Sequence, residues 1–181
     1  MALSIVPITV DRLNDLGRQF ETDEVANRCW CMWFIIAVKD FHKAGAQGNR
    51  AKFAEIAANS DHPMGLIAFE NDEPMGWVAV GPRSRYTRAL KTPTCRGGDL
   101  ADDSSSWLVP CFFVHDKARG SSLTRTLLEA AVQLANESGA EAIEGFPFSG
   151  EKRRSRGDIQ VGFQSVFEAC GFEVVRAPAS H

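Results

Sequence analysis

Between residues 106 and 146 the chain reads as an apolar run, a small glycine-containing turn, a long amphipathic segment and a second apolar run. Ser106 to Val114 predicts a strand. Arg119 to Glu137 predicts the clearest helix, with Leu123, Leu127, Leu128, Ala131 and Leu134 on one face and Gly139 as its stop. Glu141 to Phe146 predicts a second strand, entered directly from that helix. A strand, a helix and a strand in this order form a right-handed crossover between parallel strands. Pro110 interrupts the first strand; it cannot donate to a ladder, so it marks an edge, a bulge or a place where pairing stops.

The other segments surround this unit with mixed structure. Ser4 to Thr9 predicts a short strand, and Asp11 is placed to cap a helix through Leu13, Leu16 and Phe20. Cys29 to Ile36 is the most apolar window and reads as a buried strand or core segment. Lys39 to Gly48 reads as irregular, and Asn49 as the cap of a helix bearing Phe53, Ile56 and Ala57. Leu66 to Phe69 and Met75 to Val80 flank a polar turn and predict a hairpin. Gly81 to Ser105 reads as a long surface connection. Ile159 to Cys170 predicts a helix stopped by Gly171, and Phe172 to Val175 a last strand. The expectation is one α/β domain over residues 1–181, a mixed sheet covered by helices.

Composition narrows the function classes. The 181 residues carry a net charge of -3, which gives no reason to expect nucleic acid. No apolar stretch reaches the roughly 18–20 residues of a membrane helix, and the N-terminus lacks a signal-peptide pattern, so the expected location is cytoplasmic. The five cysteines are odd in number and irregularly spaced, which speaks against a disulfide framework. Cys29 and Cys31 are a C-x-C pair with no second pair following, so no metal is expected.

The turn from His115 to Ser122 carries chemistry. A helix start presents free N–H groups and the positive end of its dipole, and phosphates are the usual guests. Gly120 lets the backbone approach a ligand closely, Ser121 and Ser122 are small, and Lys117 and Arg119 add charge. Neither a P-loop nor a Rossmann glycine pattern is present.

This segment resembles motif A of the GNAT superfamily, in which a strand ends in V-x-x-x-[QR]-x-x-G-x-[GA] before a long helix. Val114 ends the strand here, and Lys117, Gly120 and Ser122 take the charged, glycine and small positions. The resemblance extends over Cys29-Trp30-Cys31-Met32-Trp33, Gly76-Trp77 with Gly81-Pro82-Arg83, Trp107 with Cys111 to Val114, Glu144 to Pro147, and Gly162 with Gly171 to Val174. Together these are similar to an uncharacterised bacterial subfamily with an N-terminal C-W-C-M-W.

The resemblance implies a GNAT fold whose middle strands splay into a V-shaped cleft, and transfer of an acetyl group from acetyl-CoA to an amine. Backbone groups around Phe112, Phe113 and Val114 would pair with pantetheine. Amides of Lys117, Ala118, Arg119, Gly120, Ser121 and Ser122 would hold the pyrophosphate. Many relatives use a tyrosine as acid in the helix after the second cleft strand; Phe163 and Phe167 occupy those positions, and Tyr86 is the chain's one tyrosine. Glu144 is the first candidate for the base. Cys111 is a candidate nucleophile or a small buried hydrophobe. Trp30, Trp33 and Trp77 would line an acceptor pocket or belong to the core. His115 reads as solvent-facing or phosphate-adjacent, Asp102 and Asp103 as an acidic loop, and Lys152, Arg153, Arg154 and Arg156 as a solvated loop or a contact with an anion. The expected partners are acetyl-CoA and a small amine, without nucleic acid or membrane, and the reading is compatible with a homodimer. Two alternatives stand beside it: an acyl-CoA-binding sensor without efficient turnover, and acetylation of a protein or peptide.

Overall fold

A computed structural model describes residues 2–93, 95, 105–149 and 158–177. Five strands form one sheet in the order β1 (Leu3–Pro7), β2 (Gly65–Glu70), β3 (Glu73–Pro82), β4 (Ser106–Val114) and β5 (Ala142–Gly145). All neighbours are antiparallel except β4 and β5, which are parallel. The hairpin joining β2 to β3 turns on Asn71 and Asp72, both at positive φ (50° and 67°). Such a turn matches the strand twist and suits Asn and Asp.

Side-chain alternation splits the core in two. Ile67, Phe69, Trp77, Ala79 and Leu108 face α1 (Leu13–Phe20), α2 (Glu24–Cys29) and α3 (Val38–Asn59). Leu66, Ala68, Val78, Val80, Trp107 and Val109 face α4 (Leu123–Glu137) and α5 (Gln164–Ala169). These period-2 faces are what the sequence pattern of β2, β3 and β4 encodes.

Several elements differ from the sequence expectation. A short 3-10 turn at Val10–Arg12 precedes α1, and the residue at its N-cap is Arg12, so Asp11 does not cap it. Residues 39–48 are helical: α3 runs from Val38 to Asn59, broken only at Gly45 (φ 62°, ψ -169°). Asn49 lies inside this helix, fully buried, and donates to the Arg28 carbonyl at 2.8 Å. The apolar window is core but not strand. Trp30 and Cys31 adopt consecutive left-handed conformations, followed by a 3-10 turn at Met32–Phe34. The left-handed cost, about 1–2 kcal/mol per residue, is offset by burying Trp30 against Phe20 and Phe53.

The start of the expected surface connection is interior. Arg83–Arg85 and Ala89–Lys91 form 3-10 turns, and Arg83, Tyr86 and Ala89 are buried. Gly162 (φ 83°) splits the last predicted helix into a 3-10 turn at Asp158–Val161 and the short α5. Phe172 to Val175 forms no strand.

Candidate active site

Strand β4 changes register at Pro110. Ala79 faces Cys111 and Gly81 faces Leu108, so the antiparallel ladder slips between them. Parallel pairing with β5 runs from Ser106 to Val109 and goes no further. The side chains record the same event: Val109 belongs to one core and Cys111 to the other, although strict alternation would put both on one face. At Pro110, which has no N–H to donate, the ladder slips on the β3 side and ends on the β5 side. Among the described residues, 110–114 have no ladder partner on the β5 side. Strand-edge N–H and C=O groups left out of a ladder are the kind to which an extended, amide-bearing molecule can add. Phe112, Phe113 and Val114 lie on this segment.

Beyond Val114 the chain makes the turn anticipated as an anion site. A 3-10 turn spans Asp116–Ala118, and the His115 Nδ1 accepts the Lys117 N–H at 3.1 Å. The amides of Ala118, Arg119 and Ser121 bond back to His115, Asp116 and Ala118. Among the described residues no acceptor meets the amides of Gly120 or Ser122. Both sit at positive φ (80° and 63°) at the start of α4. Lys117 is exposed, and Arg119 is paired with Asp116 at 2.8 Å. The open cradle is therefore narrower than the whole turn, consisting of two loop amides, the first helical turn and the Lys117 charge.

On the face covered by α1 to α3, a cavity of ≈ 310 Å³ opens at the split. Its wall includes Trp33, Phe34, Arg88, Leu108, Pro110 and Phe146. Trp33 is thus a lining residue. Trp30 and Trp77 are not: both are fully buried, Trp77 packing edge-on to Phe20 and Phe53. Arg88 had no signal in the sequence, because it falls in the segment read as a surface connection.

Glu144 stands opposite Leu108 on β5, and alternation from Ile143 puts it on the cavity's face of the sheet. Its Oε1 forms an ion pair with Arg83 Nε at 2.9 Å. Arg83 is 7% exposed and Glu144 29%. An arginine this deep requires such a partner.

Tyr86 and Cys111, far apart in sequence, meet in one buried cluster with Cys31. The Cys31 and Cys111 sulfurs are 3.0 Å apart, and Trp77 Nε1 donates to Cys31 Sγ at 3.3 Å. The contact with Cys31, together with burial, raises the Cys111 thiol well above its ordinary range. A thiol so held keeps its proton near neutral pH. Burial likewise raises Tyr86, so its phenol keeps its proton. Among the described residues its hydroxyl completes no hydrogen bond of good geometry; Arg85 lies beside it and donates to the Pro63, Val80 and His62 carbonyls and to Ser60. Phe163 is exposed and meets Phe148 edge-on, whereas Phe167 is buried under Gly145. Asp102, Asp103, Lys152, Arg153, Arg154 and Arg156 lie outside the described residues. No group of three or more His, Cys, Asp or Glu among the described residues could hold a metal ion.

A mixed sheet split between two parallel strands, with an amide-lined turn at the end of the first, is the architecture of the acyl-CoA N-acyltransferases. The model of the acetyltransferase (GNAT) family matches residues 30–150, more than half of the chain, and the chain belongs to that family. No curated protein matches it. Solved structures share the fold at low identity. An aminoglycoside N-acetyltransferase AAC(6')-Iy in complex with CoA superposes with a TM-score of 0.60 at 15% identity, covering 99% of this chain and 93% of that one. A transcriptional regulator from Bacillus halodurans C-125 gives 0.58 at 16% identity, covering 99% of each. A ribosomal-protein-alanine N-acetyltransferase from Brucella melitensis biovar Abortus 2308 gives 0.53 at 12%, covering 99% and 98%.

Proposed function

We propose that the protein transfers the acetyl group of acetyl-CoA to the primary amine of a small molecule, by direct attack. The observation that carries this reading is the split at Pro110. It leaves a donor-sized strand edge leading to the Gly120–Ser122 amides and, on the opposite face, a cavity at the same split. The pantetheine arm adds to β4 beside Phe112 and Val114. The pyrophosphate meets the Gly120 and Ser122 amides and Lys117. Solved structures of the same fold in complex with CoA, or with the bisubstrate analogue CoA-S-monomethyl-acetylneamine, support CoA as the donor in this reading.

The acceptor amine attacks the thioester carbonyl from the cavity side. A C–N bond forms, the C–S bond breaks, and CoA leaves as the thiolate. Glu144 takes the proton released by nitrogen, with Arg83 holding one carboxylate oxygen and the rest of the side chain partly open to water. The thiolate takes its proton from solvent, because Tyr86 is fully buried and is not on the cavity wall.

Calorimetric titration with acetyl-CoA, followed by an amine screen reading CoA release, tests the scheme. Lys117→Ala with Arg119→Ala should weaken donor binding about tenfold or more, the size of losing one charge-assisted contact. Glu144→Gln should bind the donor normally and turn over about 100-fold more slowly. Donor binding without release of CoA to any amine would make the protein a sensor, and absence of donor binding would end the transferase reading.

A further inference from the structure

Arg88 is the one charged side chain on the cavity wall among the described residues, and no carboxylate among them pairs with it. Other arginines of the chain do have such partners: Arg18 with Asp15, Arg83 with Glu144, Arg119 with Asp116 and Arg125 with Glu129. The Arg88 guanidinium lies over the Trp33 indole, 3.7 Å from the ring centroid, and its Nη1 donates to the Trp33 carbonyl at 2.6 Å. The Arg88 N–H bonds to the Phe34 carbonyl at 3.1 Å, and the Thr87 hydroxyl to that of Ile35 at 2.7 Å. Two contacts therefore hold this half-buried side chain before any ligand arrives, and two more anchor the backbone that carries it. An arginine held over an aromatic ring keeps most of its fork of donors, whose geometry matches a carboxylate.

The rest of the wall is mostly apolar, with Phe34, Ala89, Leu108, Pro110 and Phe146; the Thr92 hydroxyl, the polar exception, donates to the Arg88 carbonyl at 3.0 Å. The volume, ≈ 310 Å³, lies at the lower end of the roughly 300–1,000 Å³ of ligand sites, enough for one ring system. A fixed cation in such surroundings repels a polycation and attracts an anion. We propose that the acceptor is an amine bearing a carboxylate and an apolar body, resembling a hydrophobic amino acid, with its carboxylate on Arg88 and its apolar part against Phe34 and Phe146. The amine in this proposal rests on the transferase reading above; the carboxylate site does not.

Two arms keep those ideas apart. The first uses hydrocinnamate, an aromatic carboxylate with no amine to acetylate, titrated calorimetrically into the full chain. It should bind saturably and at least tenfold more tightly than its uncharged amide. Arg88→Gln should weaken it by about 10- to 100-fold, the range of charge-assisted hydrogen bonds, while leaving acetyl-CoA binding unchanged. Arg88→Lys should recover only part of the loss, because the fork is gone. The second arm compares kcat/KM for phenylalanine, phenethylamine and an aminoglycoside. Phenylalanine should lead by at least tenfold in the wild type and lose that lead in Arg88→Gln. Equal binding of hydrocinnamate and its amide by the wild-type protein overturns the proposal even if no variant folds, as does an aminoglycoside as the best acceptor. Hydrocinnamate binding with no turnover of any amine overturns the transferase reading and leaves the carboxylate site standing.

Discussion

Gly120 and Ser122 share a left-handed backbone for different reasons of chemistry. An added Cβ at Gly120 would meet nothing within 4 Å, so glycine is required there by φ and not by space. Ser122 occupies the same region of φ with a side chain, which costs an L-residue about 1–2 kcal/mol. Gly120→Ala should accordingly lower the unfolding free energy by about 1 kcal/mol, and Ser122→Gly should raise it by up to about 1 kcal/mol. Urea titrations of the two variants check this; an unmoved midpoint for Ser122→Gly would mean the turn is not left-handed there. The glycine was legible in the sequence because a turn before an amphipathic helix demands one. The left-handed serine was not, since nothing in its neighbours specifies φ. Tryptophan roles were equally hidden. Trp30, Trp33 and Trp77 have the same chemistry, and only the strand register and the two left-handed residues at 30 and 31 put Trp33 alone on the cavity.

Strand β4 shows how one residue shapes an element. Pro110 was readable as an interruption, and the ladder slips against β3 and ends against β5 at that point. Pro110→Val restores an N–H and favours strand geometry. The β4–β5 pairing should then extend by a residue toward Phe146, narrowing the cleft. We expect acetyl-CoA to bind about tenfold more weakly to this variant, the scale of one backbone hydrogen bond that the donor must displace. Unchanged donor affinity by calorimetry would show that the opening does not depend on the proline. α3 was the less legible element. Gly45, Gly48 and the polar Asn49 disguise a helix whose buried residues, Phe41, Asn49 and Phe53, recur at helical spacing once the Gly45 kink is allowed for. Asn49 looked like a cap because its amide bonds backbone, but the carbonyl it meets belongs to Arg28, a long-range partner invisible to local pattern.

For the whole molecule, the two apolar faces of the sheet were written in the alternation of β2 to β4, whereas the packing of residues 29–36, 83–93 and Cys95 against one of them was not. That packing buries thiols, and buried thiols couple stability to pH. Burial, then the proximity of Cys31, pushes the Cys29 thiol from 9.0 up to about 12. Cys111 is raised in the same direction by Cys31 and by burial. In the unfolded chain both titrate near 9.0. Above that pH the unfolded state loses protons that the native state keeps, so stability falls as pH rises and is unaffected by these groups below it. Each thiol contributes a slope of at most about 1.4 kcal/mol per pH unit between about pH 9 and its native value. Urea midpoints should therefore hold steady from pH 7 to 8.5 and drop progressively by pH 10.5. Cys29→Ala should remove one thiol's share of the slope while leaving the neutral-pH transition cooperative. A wild-type midpoint that stays level through pH 10.5 would mean that the 29–36 segment opens enough to solvate its thiols. The wall bearing Trp33 and Phe34, and with it the acceptor cavity, would then be a mobile element rather than a fixed one.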